Sequence, residues 1–336
     1  MSKFIICVII ANLIQMPVFA EVVNVYSARK EVLIKPLLDK FTDETGVRVN
    51  LLTGKADALI KRLEVEGKNS PADLFITTDA GRLYRTKMMK LLQPVESKML
   101  QKLVPEQMRD PDHQWYGLSV RPRPIMFAKG RVKKSDLSTY ENLVEQRWKG
   151  RICVSSSSSI YNQSLVASMI SANGETATTE WAKGLVANMA RTPAGGDIEQ
   201  IKMLAAGQCD IAIANTYYLG IMSKGRNKKY RRAAKKISIF WPNQKGRGTH
   251  VNISGVGVVA ASKNQSNAIK LIEYMLGEES QAWYARVNFE YPVRDQAEIS
   301  KLLKQWGEFK SDNKNISLLG KNNSVAVKAM DRAGWR

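Results

Sequence analysis

Twice along this chain, short β-rich runs alternate with amphipathic helical stretches, and that order leaves few folds open. Residues 22–26 form the first β-rich run, and a helical pattern follows over 36–45 with Leu37, Leu38 and Phe41 on one face. Gly46 fits the position just past that helix, and 47–52 reads as the next strand. A second helix is expected over 56–66 and a third strand over 74–77. Strand–helix–strand–helix–strand predicts a parallel sheet with right-handed crossovers. The alternation restarts near Arg151, with helices near 165–171 and 198–206 and strands near 210–214 and 237–241. The class is therefore α/β. Two doubly wound halves imply a cleft, and ligands of such sheets sit beyond the carboxyl ends of the strands.

The residues ahead of the first strand concern compartment. Lys3 precedes the apolar run Phe4–Leu13, and Val18-Phe19-Ala20 closes the segment before Glu21. That order predicts a secretory signal peptide over 1–20 and a periplasmic destination; an uncleaved anchor is the alternative. Cys7 lies inside the apolar run, too early to carry a lipid after cleavage. The remaining 316 of the 336 residues suffice for two cores.

A formal charge of +20 raises nucleic acid as a partner. Export and the lack of any zinc-finger or RNP-like motif argue against it. The densest block, Lys224–Lys236, holds eight basic residues and no acid; it is read as a solvated, mobile loop, with an anionic partner site as the alternative. Such a surface could also draw the protein toward anionic membranes.

Cys153 and Cys209 remain after cleavage, and an oxidising compartment makes them a disulfide candidate, two buried thiols being the other reading. Each stands on a short apolar run and each precedes a tyrosine by eight residues, Tyr161 and Tyr217. Neighbouring parallel strands would let the cysteines meet near the strand starts and the tyrosines converge beyond the ends. The run at 210–214 leads into Asn215-Thr216-Tyr217-Tyr218, and Ser155–Ser159 leads to Tyr161 near a helix start. A serine-rich helix start offers hydroxyls and N–H groups to an anion. Ionised phenols are hard, charged ligands, and a highly charged cation can drive their deprotonation despite an ordinary pKa of about 10. From spacing alone, paired tyrosines also serve as packing residues.

Several separated stretches resemble the ferric-iron-binding proteins of bacterial iron transporters, particularly the branch related to cyanobacterial iron-binding proteins. They are VNVYSARK at 23–30, TTDAGRLYR at 77–85, WYGLSVRPRP at 115–124, ICVSSSSSIYNQSLVASMI at 152–170, CDIAIANTYYLG at 209–220, ISGVGVV at 253–259 and NFEYPV at 288–293. The resemblance implies a two-lobed periplasmic binding protein of type II, with transferrin-like lobes, hinge strands and an interlobe cleft. It implies Fe(3+) held by Tyr161, Tyr217 and Tyr218, and delivery by a monomer to an inner-membrane ABC permease. Arg121 and Arg123, in the Arg-Pro-Arg that replaces the family's Arg-Ala-Arg, are expected to contact a synergistic anion such as carbonate, directly or from one layer out.

One departure concerns the first lobe. Many relatives carry a His-Tyr pair shortly after the first strand's Tyr-Ser, where this chain has Arg29-Lys30-Glu31. Lys30 would have to lose its proton to ligate. Glu31 could supply an oxygen, or the lobe could contribute none. Tyr26 is expected beneath the site, and His113 and His250 lack metal-like spacing. The lobes are expected at 21–120 plus about 251–285 and at 121–250 plus about 286–336, with hinges near 119–124 and 246–253. A same-fold binder of a phosphonate or sulfonate is the alternative function. No Gly-x-Ser-x-Gly turn is present, so an enzyme is not expected.

Overall fold

The computed structural model describes residues 21–336; the expected signal segment lies outside the described residues. Two sheets organise the chain. The larger contains β1 (Val22–Ser27), β2 (Arg48–Thr53), β3 (Leu74–Thr77), β4 (Leu92–Gln93) and β5 (Tyr116–Pro122) from the first part of the sequence. The smaller contains β6 (Ile125–Ala128), β7 (Ile152–Cys153), β8 (Ile211–Ile213) and β9 (Ile237–Phe240). The chain then returns to the larger sheet with β10 (Val251–Val259) and β11 (Tyr291–Pro292).

The larger sheet runs β11-β5-β10-β3-β1-β2, with β4 also paired to β10. Its β2, β1 and β3 are parallel, as the alternation predicts, whereas β10 is antiparallel to both β3 and β5. All nine residues of β10 are buried, as expected of a central strand covered on both faces. Gly255, at a register shift in β10, allows the close approach of its neighbours; a Cβ there would lie 2.6 Å from Leu83 Cδ1 and 2.9 Å from the Tyr116 carbonyl oxygen.

Local sequence explains the first crossover. Pro36 occupies the first turn of the Lys35–Thr45 helix, Leu37, Leu38 and Phe41 are its buried stripe, and Gly46 ends it in the left-handed region at φ 74°. The smaller sheet runs β7-β8-β6-β9, with β7 parallel to β8 and β6 antiparallel to both neighbours. The main chain passes between sheets at Pro122–Ile125 and again between Phe240 and Val251, and these passages lie side by side because Val251 pairs with Pro122.

Two sequence expectations are corrected. The expected second half includes about 286–336, yet Tyr291–Pro292 pairs with β5 and joins the larger sheet. Helix Asn323–Arg332 does pack in the second half, against helices Ile160–Asn173 and Glu175–Ala187. The block 224–236 is largely helical, because Asn227 caps the Lys228–Lys235 helix by accepting from the Lys229 and Tyr230 amides. Among the described residues no helix is long and apolar enough to cross a membrane.

Candidate functional site

Because β7 and β8 are parallel neighbours, the segments leaving their carboxyl ends start side by side. Tyr161 is the second residue of helix Ile160–Asn173, and Tyr217 and Tyr218 lie in the first turn of helix Thr216–Lys224. The Cys153–Cys209 disulfide, with Cα atoms 5.9 Å apart, ties β7 to the approach of β8, as the symmetric spacing suggested. The Tyr217 and Tyr218 ring centroids are 4.3 Å apart.

Arg121, at the end of β5, is the group on which this cluster converges. Its guanidinium carbon lies 4.3 Å from the Tyr217 ring centroid and 5.3 Å from that of Tyr161. From the larger-sheet side it donates to the Thr78 carbonyl at 2.6 Å, and its Nε stands 3.4 Å from Glu290 Oε1 in a geometry too poor for a hydrogen bond. One side chain thus touches both halves. The hydroxyls of Thr77, next in sequence to Thr78, and of Thr216, next to Tyr217, are buried without a partner. A buried polar atom left unpaired is unusual enough to mark a place that ligand or water completes.

The three phenols perturb one another. Burial pushes Tyr217 well above its ordinary value, and charge on Tyr161 or Tyr218 would push further, against the pull of Arg121. Burial raises Tyr218 in the same way. Burial would raise Tyr161 too, but the Arg121 guanidinium and contacts from Tyr217 and Arg121 outweigh it, so this phenol is held below its ordinary value. The surroundings thus favour ionisation at Tyr161 and oppose it at Tyr217 and Tyr218.

Arg123 does something else. Nη1 donates to Asp197 Oδ2 at 2.8 Å and Asn215 Oδ1 at 2.9 Å; Nη2 donates to Asn162 Oδ1 at 2.6 Å and to the Ile213 carbonyl at 3.2 Å. Asn162 and Asn215 flank Tyr161 and Tyr217 in sequence, so one buried fork fixes the starts of both tyrosine helices. Ser155 contributes from the serine run, its carbonyl accepting from Asn162 Nδ2 at 2.7 Å and Trp335 Nε1 at 3.0 Å. Ser156 and Ser158 bond each other at 2.9 Å.

The first-lobe expectations are resolved in part. Glu31 lies exposed on a short 3-10 turn, and Lys30 beside it is exposed. Arg29 is buried and paired with Glu290 at 3.0 Å, which also accepts from Ser119 Oγ. Tyr26 is buried, as expected, and its hydroxyl donates to Glu66 Oε1 at 2.9 Å. Sequence reasoning missed Glu290, whose partners are distant in sequence. It also missed Phe289, which follows the π-helical turn Tyr284–Asn288 at φ 55° and abuts Gly220 of the tyrosine helix. A π-turn followed by a left-handed non-glycine residue is a costly arrangement of the kind found at functional sites.

His250 is a core residue whose pKa is lowered to about 3, by burial and then by the charges of Arg123 and Arg247. His113 sits in a left-handed turn beside Gln101. Among the described residues no group of three His, Cys, Asp or Glu side chains could hold a metal ion. A hollow of about 620 Å³ lined by Leu137, Phe240 and Trp241 contains none of the tyrosines.

Two α/β lobes, joined by adjacent strands and meeting over a buried aromatic and basic cluster, define a two-lobed solute-binding protein of type II. Residues 69–315 match the bacterial extracellular solute-binding protein family, and the chain belongs to it. Iron uptake protein A1 of a Synechocystis species is 46% identical over 314 residues, 94% of this chain and 87% of the relative. The solved structure of the Trichodesmium protein IdiA (FutA), in complex with iron and citrate, has a TM-score of 0.91 at 48% identity, covering 94% of this chain and all of that one. The putative 2-aminoethylphosphonate-binding periplasmic protein of Salmonella typhimurium is more remote, at 23% identity over 261 residues, 76% of this chain and 72% of the relative.

Proposed function

We propose that this chain binds ferric iron through the phenol oxygens of Tyr161, Tyr217 and Tyr218 and delivers it to an inner-membrane ABC permease. The observation that carries this reading is the convergence of Tyr161 and Tyr217 on the Arg121 guanidinium, with Tyr218 packed against Tyr217, and no cluster of three His, Cys, Asp or Glu side chains among the described residues. Phenolates suit a hard trivalent ion, and each phenol that ligates must release its proton. The likeness to iron uptake protein A1 and to the iron-bound Trichodesmium protein supports the same cargo. Arg121, with an unsatisfied buried Nε, is the contact for a synergistic anion such as carbonate. Arg123, whose two Nη atoms are engaged, holds the tyrosine helices from one layer out. Glu31 stays outside the ligand set.

The chain works as a periplasmic monomer without catalytic activity. One lobe is built on the larger sheet and the other on the smaller, and closure about the paired passages near Pro122 and Val251 shields the ion. An anion binder of the same fold would gain nothing from three phenols that favour a cation, and the phosphonate-binding relative is the more distant one. A visible absorption spectrum of the purified protein with ferric citrate tests the reading. Phenolate-to-iron charge transfer should colour the solution; a colourless protein that nonetheless binds an organic anion would replace iron with that anion.

A further inference from the structure

The most one-sided surface of the molecule lies away from the tyrosines, at the far end of the helix that carries two of them. Helix Thr216–Lys224 ends in a lysine, and Asn227 starts the Lys228–Lys235 helix packed against it. Lys224, Arg226, Lys228, Lys229, Arg232, Lys235 and Lys236 are all exposed. No salt bridge among the described residues involves any of them, although such bridges are frequent elsewhere, from Lys35–Asp39 to Arg332–Glu175. Arg231 folds back onto the Gly225 and Arg226 carbonyls at 2.8 Å, which stiffens the turn between the helices.

The surface is also shaped. A hollow of about 330 Å³ is lined by Ser223, Lys228, Arg231, Arg232, Ala234 and Lys235. On the other flank a hollow of about 430 Å³ brings Lys202 together with Lys229, Arg232 and Lys236 around Tyr230. Neither lining contains an acid, and Arg232 borders both. Cations on both flanks of one short helix, with no large hydrophobic residue fully exposed over 224–236 and Tyr230 only partly so, match an extended sheet of anionic headgroups. A folded protein partner would ask for a mixed pattern with an apolar centre.

We propose that the face formed by residues 224–236 and Lys202 docks this protein reversibly on an anionic lipid surface, with phosphate headgroups entering the two hollows. Attraction of this kind grows with each basic residue near the membrane and fades within a Debye length. It is independent of the metal reading, since none of these residues touches the tyrosine cluster.

Co-sedimentation of the mature protein with vesicles tests it, comparing phosphatidylglycerol–phosphatidylcholine with phosphatidylcholine alone. The parent should bind the anionic vesicles at low salt, leave them at high salt and ignore the neutral ones. Replacing Lys228, Lys229, Arg232 and Lys235 by Gln should weaken binding on the order of a thousandfold. Replacing Lys98, Lys102, Lys301 and Lys304, four exposed cations elsewhere, removes the same net charge and should weaken it far less. Equal losses in the two variants would assign the effect to net charge and overturn the proposal. So would a parent that ignores anionic vesicles, including one that instead binds acidic membrane proteins through this face. Circular dichroism of both variants establishes that each is folded.

Discussion

Arg121 and Arg123 are separated by one proline and carry the same charge, yet substituting them should produce opposite phenotypes. Arg123→Met keeps bulk and removes the fork. Asp197, 3% exposed, would lose its guanidinium and retain the Asn215 amide at 2.8 Å, while Asn162 Oδ1 and Asn215 Oδ1 would lose their donors. Stranding a buried charge costs about 3–5 kcal/mol. With an unfolding slope of about 3 kcal/mol/M in urea, the midpoint should fall by roughly 1 M or more. The double variant Arg123→Met/Asp197→Leu should recover much of that loss, because it strands no charge. Arg121→Met should behave differently. Glu290 keeps Arg29, so stability should fall by only about 1–2 kcal/mol, whereas iron retention against a chelator should drop sharply. Urea unfolding of the iron-free proteins, followed by fluorescence, separates the cases. If Arg123→Met unfolds with the parent while Arg121→Met collapses, the division of labour argued from the hydrogen bonds is wrong.

Tyr161→Phe, Tyr217→Phe and Tyr218→Phe should each preserve the fold and each lower iron affinity by more than an ordinary hydrogen bond of about 1 kcal/mol, whereas Glu31→Gln should leave affinity and colour alone; three tyrosine variants binding like the parent would end the phenolate reading. Iron retention should weaken as pH falls, since protons compete for the phenolates, and a flat profile down to about pH 4 would contradict ligation by tyrosine. His250 is depressed to about 3 in the fold against about 6.5 unfolded, so its neutral form favours folding above pH 6.5; that contribution fades by about 1.4 kcal/mol per pH unit as pH falls toward 3. His250→Gln should flatten this part of the stability–pH curve, and an unchanged slope would refute the assignment. Gly220→Ala would put a Cβ 2.6 Å from Phe289 Cβ, so a chelator should strip iron faster while the absorption band stays in place, and Phe289→Gly in the same chain should relieve it; an unchanged release rate would show that the contact does not control the cleft.

Much of the architecture was legible because its signals are local. The Leu37, Leu38 and Phe41 stripe and Gly46 delimit one helix, and the matched cysteine–tyrosine spacing anticipated parallel β7 and β8. What escaped depends on distance along the chain. Arg29 and Glu290 are 261 residues apart, and nothing local marks either as paired. Arg121 and Arg123 looked alike because a strand repeats every second residue; the break between β5 and β6 turns the second arginine into the other half's interior. The helix at 228–235 was hidden by its charge, although Asn227 and the Ala233-Ala234 pair were available as signals. Tyr291 went to the wrong half because a two-residue strand carries almost no periodicity.

The bond from Trp335 Nε1 to the Ser155 carbonyl has a bearing on the order of assembly. Its partners are 180 residues apart, and the same helical region supplies Asn322 to Ala167 and Asn323 to Gln163. A polypeptide synthesised amino end first presents Tyr161 long before any of these supports arrives. During that interval the loop at 155–159 lacks its anchor and the helix behind Tyr161 lacks its cover. Tyr161 therefore gains its fixed surroundings only once a late segment has docked, so the cluster is completed only when the rest of the fold is in place.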